Sequence, residues 1–139
     1  MMIILDTNVS SELMKSQPER LVVDWIAKHK TTNLFITALT QAEILYGLEI
    51  LPVGKRRTAL IEAARSMFEQ DFSERILPFD IGAAKLFATI AAKRRKIGLP
   101  ISQIDAQIAA IALFHHATLA TRNVKDFEEC NLDLVNPWN

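Results

Sequence analysis

Short apolar runs alternate with helical patterns along the whole chain, and this alternation restricts the fold more than any other feature. Met2–Leu5, Asn33–Thr37, Arg75–Leu77, Thr118–Ala120 and Asp133–Val135 are too short for helices and read as strands. Helical patterns fill the intervals: Ser10–Lys15, Glu19–Lys30, Thr40–Leu51, Lys55–Phe72, a helix capped by Asp80 and running to about Ile97, and Ser102–His116. Pro52 with Gly54, and Gly98 with Pro100, punctuate two of the helix ends. Met2–Leu5 is apolar throughout and does not alternate, as suits a strand covered on both faces. The expected fold is therefore a single α/β domain over residues 1–139, with a central, mainly parallel sheet of about five strands flanked by helices. IDAQIAAIALF, within Ser102–His116, is the most apolar helical segment and belongs at the centre.

Composition narrows the class. Half of the 139 residues are hydrophobic, enough for a sizeable core and against disorder. Sixteen basic and sixteen acidic side chains cancel, so any nucleic-acid surface must be local. The single cysteine, Cys130, allows no internal disulfide and fits a reducing compartment. The N-terminal apolar run is too short for a signal segment, and no stretch approaches the ~20 apolar residues of a membrane span. A soluble, cytoplasmic protein is the expectation.

The informative residues are acids near strand ends. Ligands of an open parallel sheet bind beyond the carboxyl ends of its strands, where the strand order reverses. Asp6 directly follows the first strand, Glu43 is expected in the first turn after the second, and Asp105 in the first turn of the central helix. Asn123 and Asp126 follow the fourth strand. Each has a second reading: Thr40-x-x-Glu43 and Ser102-x-x-Asp105 match capping boxes, Asn123-x-x-Asp126 mimics one, and acids suit first helical turns. Asp6 could make an Asx-type turn. As a set, however, carboxylates gathered in one pocket repel unless protons or a cation relieve them. Oxygen donors without His or Cys suit Mg²⁺ or Mn²⁺, which can polarise a phosphodiester and activate water. Asn8 and Thr121 are placed to orient such carboxylates.

Four segments then carry a resemblance. "LDTN", "TALTQAEILYG", "ISQIDAQIAAIA" and "LATRNVKDFE", with "RILPFD" and the terminal "NPW", resemble the PIN-domain family. In order and spacing they look like the VapC-type toxins of bacterial toxin–antitoxin pairs, including the FitB-like branch. The resemblance spans nearly the whole chain. It implies a Mg²⁺- or Mn²⁺-dependent endoribonuclease restrained by a VapB/FitA-like antitoxin, dimeric and assembling further with that partner. By position, Asp6, Glu43 and Asp105 match the family's metal-site acids, with Asp6 and Asp105 as ligands and Glu43 completing the site or orienting water. Relatives often carry Asp where this chain has Asn123, so Asn123 or Asp126 fills the fourth place.

Other residues are less decisive. Arg122, beside the pocket, is a candidate for substrate phosphate, with a surface ion pair as the other reading. Lys93–Lys96 closes a helix, where the dipole favours cations, and Lys55–Arg57 opens one, where it does not. His115 and His116 suit a helix C-terminus, Cys130 has no partner in sequence, and Tyr46, Trp25 and the phenylalanines are expected in the core. The apolar helices exceed what a small sheet covers, which suggests a homodimer interface and a partner groove. Two alternatives stay open. One is a receiver-like phosphoacceptor domain, although only Asp6 follows the first strand and the third ends in Pro-Phe-Asp. The other is a catalytically weak PIN scaffold, suggested by Asn123.

Overall fold

The computed structural model describes all 139 residues. Five strands form one parallel sheet: β1 (Ile3–Leu5), β2 (Leu34–Thr37), β3 (Ile76–Leu77), β4 (Thr118–Ala120) and β5 (Asp133–Val135). Their order is β3-β2-β1-β4-β5. Six α-helices connect them: α1 (Thr7–Leu13), α2 (Arg20–Ala27), α3 (Ala38–Ile50), α4 (Lys55–Ser66), α5 (Ile81–Lys96) and α6 (Gln103–Phe114). The α/β single-sheet expectation holds. No helix is long and apolar enough to cross a membrane.

The two-residue period of a strand sorts β1 between two helical layers. Ile4, with Leu119 of β4, joins a core built with Ala83 and Ile90 of α5 and Ile108 and Ile111 of α6. Ile3 and Leu5, with Ile36 and Ala120, join the opposite core, with Val9 of α1, Val22 of α2 and Met67. Both faces are covered, which is why Met2–Leu5 is apolar without alternation. In α6, Ala106, Ala109, Ala110 and Ala112 are fully buried. Their small side chains let the helix lie close to α5 and the sheet.

Several boundaries differ from the sequence expectation. Helix α1 begins at Thr7, not Ser10, because Asp6 caps it by accepting from the Thr7 N–H at 2.8 Å. Helix α3 is capped by Thr37, whose hydroxyl accepts from the Thr40 N–H at 3.2 Å, so Glu43 lies a turn deeper and Thr40-x-x-Glu43 is no capping box. Ser102 and Asp80 do cap α6 and α5. Regular α4 stops at Ser66 and gives way to a π-turn over Met67–Asp71, so the helix expected over Lys55–Phe72 is shorter. Tyr46 is 68 % exposed, contrary to its expected place in the core. The inward stripe of α3 is Thr40, Ile44 and Leu48, spaced by four, and Tyr46 lies on the other side. Phe114 is likewise exposed.

The packing of α6 is directly testable. Ala109→Leu inserts three carbons where no space remains, and is expected to destabilise the domain by about 1–3 kcal/mol. Urea unfolding should show a lower midpoint with an unchanged slope. An unchanged midpoint would mean that α6 is not closely packed there.

Candidate active site

The chain lays β2 and then β3 on one side of β1, and β4 and then β5 on the other. The order therefore reverses between β1 and β4, and the crevice beyond their carboxyl ends is where a ligand fits. Asp6 leaves β1 at this point and Thr121 leaves β4. The register Leu5↔Ala120 brings them together. Asp6 is 5 % exposed and Thr121 fully buried. The Thr121 hydroxyl donates to Asp6 Oδ2 at 2.8 Å while the Thr7 N–H holds Oδ1. Asn8, expected as the brace of Asp6, reaches Oδ2 only at 3.4 Å. Its side-chain amide oxygen, Oδ1, instead accepts from the Arg122 N–H at 3.2 Å, tying α1 to the loop after β4. Thr121 is the principal brace.

Glu43 reaches the same end of the sheet from α3. The Thr7 hydroxyl donates to Glu43 Oε1 at 2.5 Å. Thr7 has one hydroxyl proton, so in its 3.0 Å contact with Thr40 the Thr40 hydroxyl is the donor. The chain Thr40–Thr7–Glu43 thus fixes the glutamate beside Asp6. Neither threonine stands out in the sequence. Thr7 is merely the neighbour of Asp6, and Thr40 is masked by the capping pattern.

Asp105 stands in the first turn of α6 behind the Ser102 cap, and Asp126 in a 3₁₀ turn over Val124–Phe127. Both line a cavity of about 250 Å³ together with Arg94, Pro100, Ile101 and Ser102. Asn123 does not line that cavity. Its backbone N–H donates to the Thr121 hydroxyl at 3.1 Å. Asp126, not Asn123, is the acid facing Asp105 from this loop.

None of the protein's four ion pairs includes one of these acids, and Arg94, which lines the same cavity, donates to main-chain carbonyls rather than to a carboxylate. Burial raises the pKa of Asp6 above its ordinary value, against its hydrogen bonds to Thr121 and Thr7, and the charges of Glu43 and Asp126 add to the rise. Burial and then the charge of Asp6 push Asp105 up to about 6, with Asp126 and Glu43 contributing. The acids form an open rim: no three Asp, Glu, His or Cys side chains close around one point tightly enough to hold an ion by themselves. An oxygen-only, open donor set fits Mg²⁺ or Mn²⁺, which bind through one or two carboxylates and retain water.

The sequence profile of the PIN domain matches residues 3–130. The chain belongs to the PIN domain family. It is 40 % identical over 137 residues to the VapC ribonuclease Y4jK of Sinorhizobium fredii, covering 99 % of this chain and 98 % of that one. It is 36 % identical over 138 residues to the toxin FitB of Neisseria gonorrhoeae, covering 99 % of each. The crystal structure of FitAcB from Neisseria gonorrhoeae superposes with a TM-score of 0.91 at 36 % identity, again covering 99 % of each chain. Membership in this family removes the receiver-like alternative. So does the sheet, whose β3 lies at the edge, two strands from the Asp6 crevice.

The basic residues of this PIN domain divide differently from expectation. Arg122 is exposed, and its guanidinium lies 4.9 Å from the centroid of the Trp138 ring, not in a carboxylate pair. Arg57 donates to the Leu48 carbonyl at 2.9 Å and joins α4 to α3. Arg94, expected with its neighbours to complement the dipole at a helix end, is 5 % exposed. It extends the inward stripe of Ala83 and Ile90, a period that the sequence contains. Cys130 does have a partner, the Arg94 guanidinium at 3.7 Å.

These pKa directions set a pH dependence. Between 3.8, the ordinary value, and about 6, the folded chain holds a proton on Asp105 that the unfolded chain has lost. Metal-free stability therefore falls as pH rises through that window, and the deficit persists at neutral pH. Asp105→Asn is expected to raise the metal-free Tm at pH 7 by about 3 °C, on the order of 1 kcal/mol after allowance for partial exposure. At pH 3 the variant and the parent should melt together. A variant that melts lower at pH 7 would mean that Asp105 serves the helix start more than it strains the acid cluster.

Proposed function

We propose that this PIN domain is an endoribonuclease dependent on Mg²⁺ or Mn²⁺, and the toxin of a toxin–antitoxin pair acting in the cytoplasm. The observation that carries the chemistry is the grouping of Asp6, Glu43, Asp105 and Asp126 around the β1/β4 crevice, close enough to raise one another's pKa and joined by no ion pair. The names of the relatives, a VapC ribonuclease and the toxin FitB, support the substrate class and the biological role.

Asp6 and Asp105 would hold the ion, with Asp126 facing Asp105 and Glu43 across from them. A bound divalent cation supplies Lewis-acid polarisation of the scissile phosphate and eases deprotonation of the attacking water. Thr121 and the Thr7 N–H keep both Asp6 oxygens in place. The Thr40–Thr7 relay holds Glu43 where it can orient a water. The exposed Arg122, stacked on Trp138, offers a charge for a flanking RNA phosphate, with a backbone fixed by Asn8. Asn123 contributes no charge, which leaves the fourth place to Asp126 and favours one tightly held ion in the free protein. Exposed apolar side chains on and after α3, among them Leu45, Tyr46, Ile50 and Val53, give a surface for a second copy and for a VapB/FitA-like antitoxin.

The test is cleavage of structured RNA by the purified chain with Mg²⁺ or Mn²⁺, with and without chelator. The parent is expected to cut and the chelated parent not. Asp6→Asn and Asp105→Asn should each lose activity by at least about a hundredfold, since even residues supporting a metal ligand cost 10–100-fold. Thermal melts must show both variants folded. Undiminished cutting in chelator removes the metal. A parent inert toward every RNA offered turns the reading to a scaffold that only binds a partner.

A further inference from the structure

Arg94 is a buried cation without a carboxylate partner. None of the protein's ion pairs includes it. It occupies the position where the apolar stripe of α5 would place another aliphatic residue, and a buried unpaired charge is costly there. What compensates it is main chain. Its Nε–H donates to the Leu99 carbonyl at 2.6 Å, and Nη1 donates to the carbonyls of Asp126 and Glu128, each at 2.9 Å.

Those carbonyls belong to two separate segments. Leu99 lies in the connection from α5 to α6, just before the Ser102 cap that opens the turn bearing Asp105. Asp126 and Glu128 belong to the loop that follows β4. One planar guanidinium thus joins the backbones of the two segments whose acids face each other, and Arg94 itself lines their cavity. A fork of fixed donors can satisfy several carbonyls at set angles, which a lysine ammonium on a flexible stem cannot.

We infer that Arg94 is a positioning residue: it clamps the Leu99–Asp105 and Asp126–Glu128 segments together and so sets Asp126 opposite Asp105. The inference rests on the metal-dependent reading of the acid cluster. It explains how this chain works with asparagine at position 123, because the remaining acid of that loop is held from behind by its own carbonyl.

The experiment is Mn²⁺ titration calorimetry on the whole chain, on Arg94→Lys, Asp126→Asn and the double variant, and on Asp105→Asn, below the melting range of each. Asp126→Asn and Arg94→Lys are each expected to weaken Mn²⁺ binding about tenfold. The double variant should be no weaker than either single one, because Arg94 acts through Asp126. Unchanged affinity in Arg94→Lys, or a double variant weaker by about a hundredfold, overturns the clamp while leaving the metal site standing. Undiminished Mn²⁺ binding by Asp105→Asn instead defeats the metal reading and takes the clamp with it. If Arg94→Lys does not fold, amide exchange of the parent decides the matter. Mn²⁺ should slow exchange in residues 99–105 and 124–128 together, and protection of one segment alone overturns the inference.

Discussion

The hydrogen bond from the Thr121 hydroxyl to Asp6 holds the rest of the site in relation to the fold. It joins the ends of two neighbouring strands that are more than a hundred residues apart in sequence, at the one place where the sheet reverses its order. A carboxylate so deeply placed is disfavoured by lost hydration. Thr121 and the start of α1 offset part of that cost, and the charges of Glu43 and Asp126 increase what remains. The acids are thus set against one another by the same packing that makes the domain stable.

Much of this is legible in the sequence, for identifiable reasons. The strands are visible because a parallel sheet covered on both faces demands unbroken apolar runs. Asp6 and Asp105 are visible because acids at strand and helix edges are conspicuous against such runs. The helix starts are less so. Asp6 hides the beginning of α1 by acting as its cap, and Thr40 imitates a cap that Thr37 in fact provides. A single threonine three residues upstream of an acid cannot announce which of two overlapping frames the backbone adopts.

What the sequence conceals most is depth. Lys93, Arg94, Arg95 and Lys96 are equivalent as letters, yet Arg94 alone turns inward, and its partners are carbonyls, which carry no side-chain signature. Tyr46 misleads in the opposite sense: aromatic residues favour cores on average, but its place on α3 is decided by the stripe of Thr40, Ile44 and Leu48. Thr7 gains its role only where α3 comes to lie beside α1. In each case the missing information is the relation between elements, and not the propensity of any one of them.

Asp6 both caps α1 and accepts from Thr121, which has a consequence for how the chain tolerates change there. Asparagine caps a helix about as well as aspartate, with its one amide oxygen on the Thr7 N–H and its NH2 turned to donate to the Thr121 hydroxyl, whereas alanine forfeits both contacts. A change to asparagine therefore discharges the crevice while leaving a shaped, folded domain behind. A copy of that kind would keep the outer surface of the parent and compete with it for any protein that recognises that surface. Replacement by alanine would produce a weaker competitor, because it erodes the fold that displays the surface.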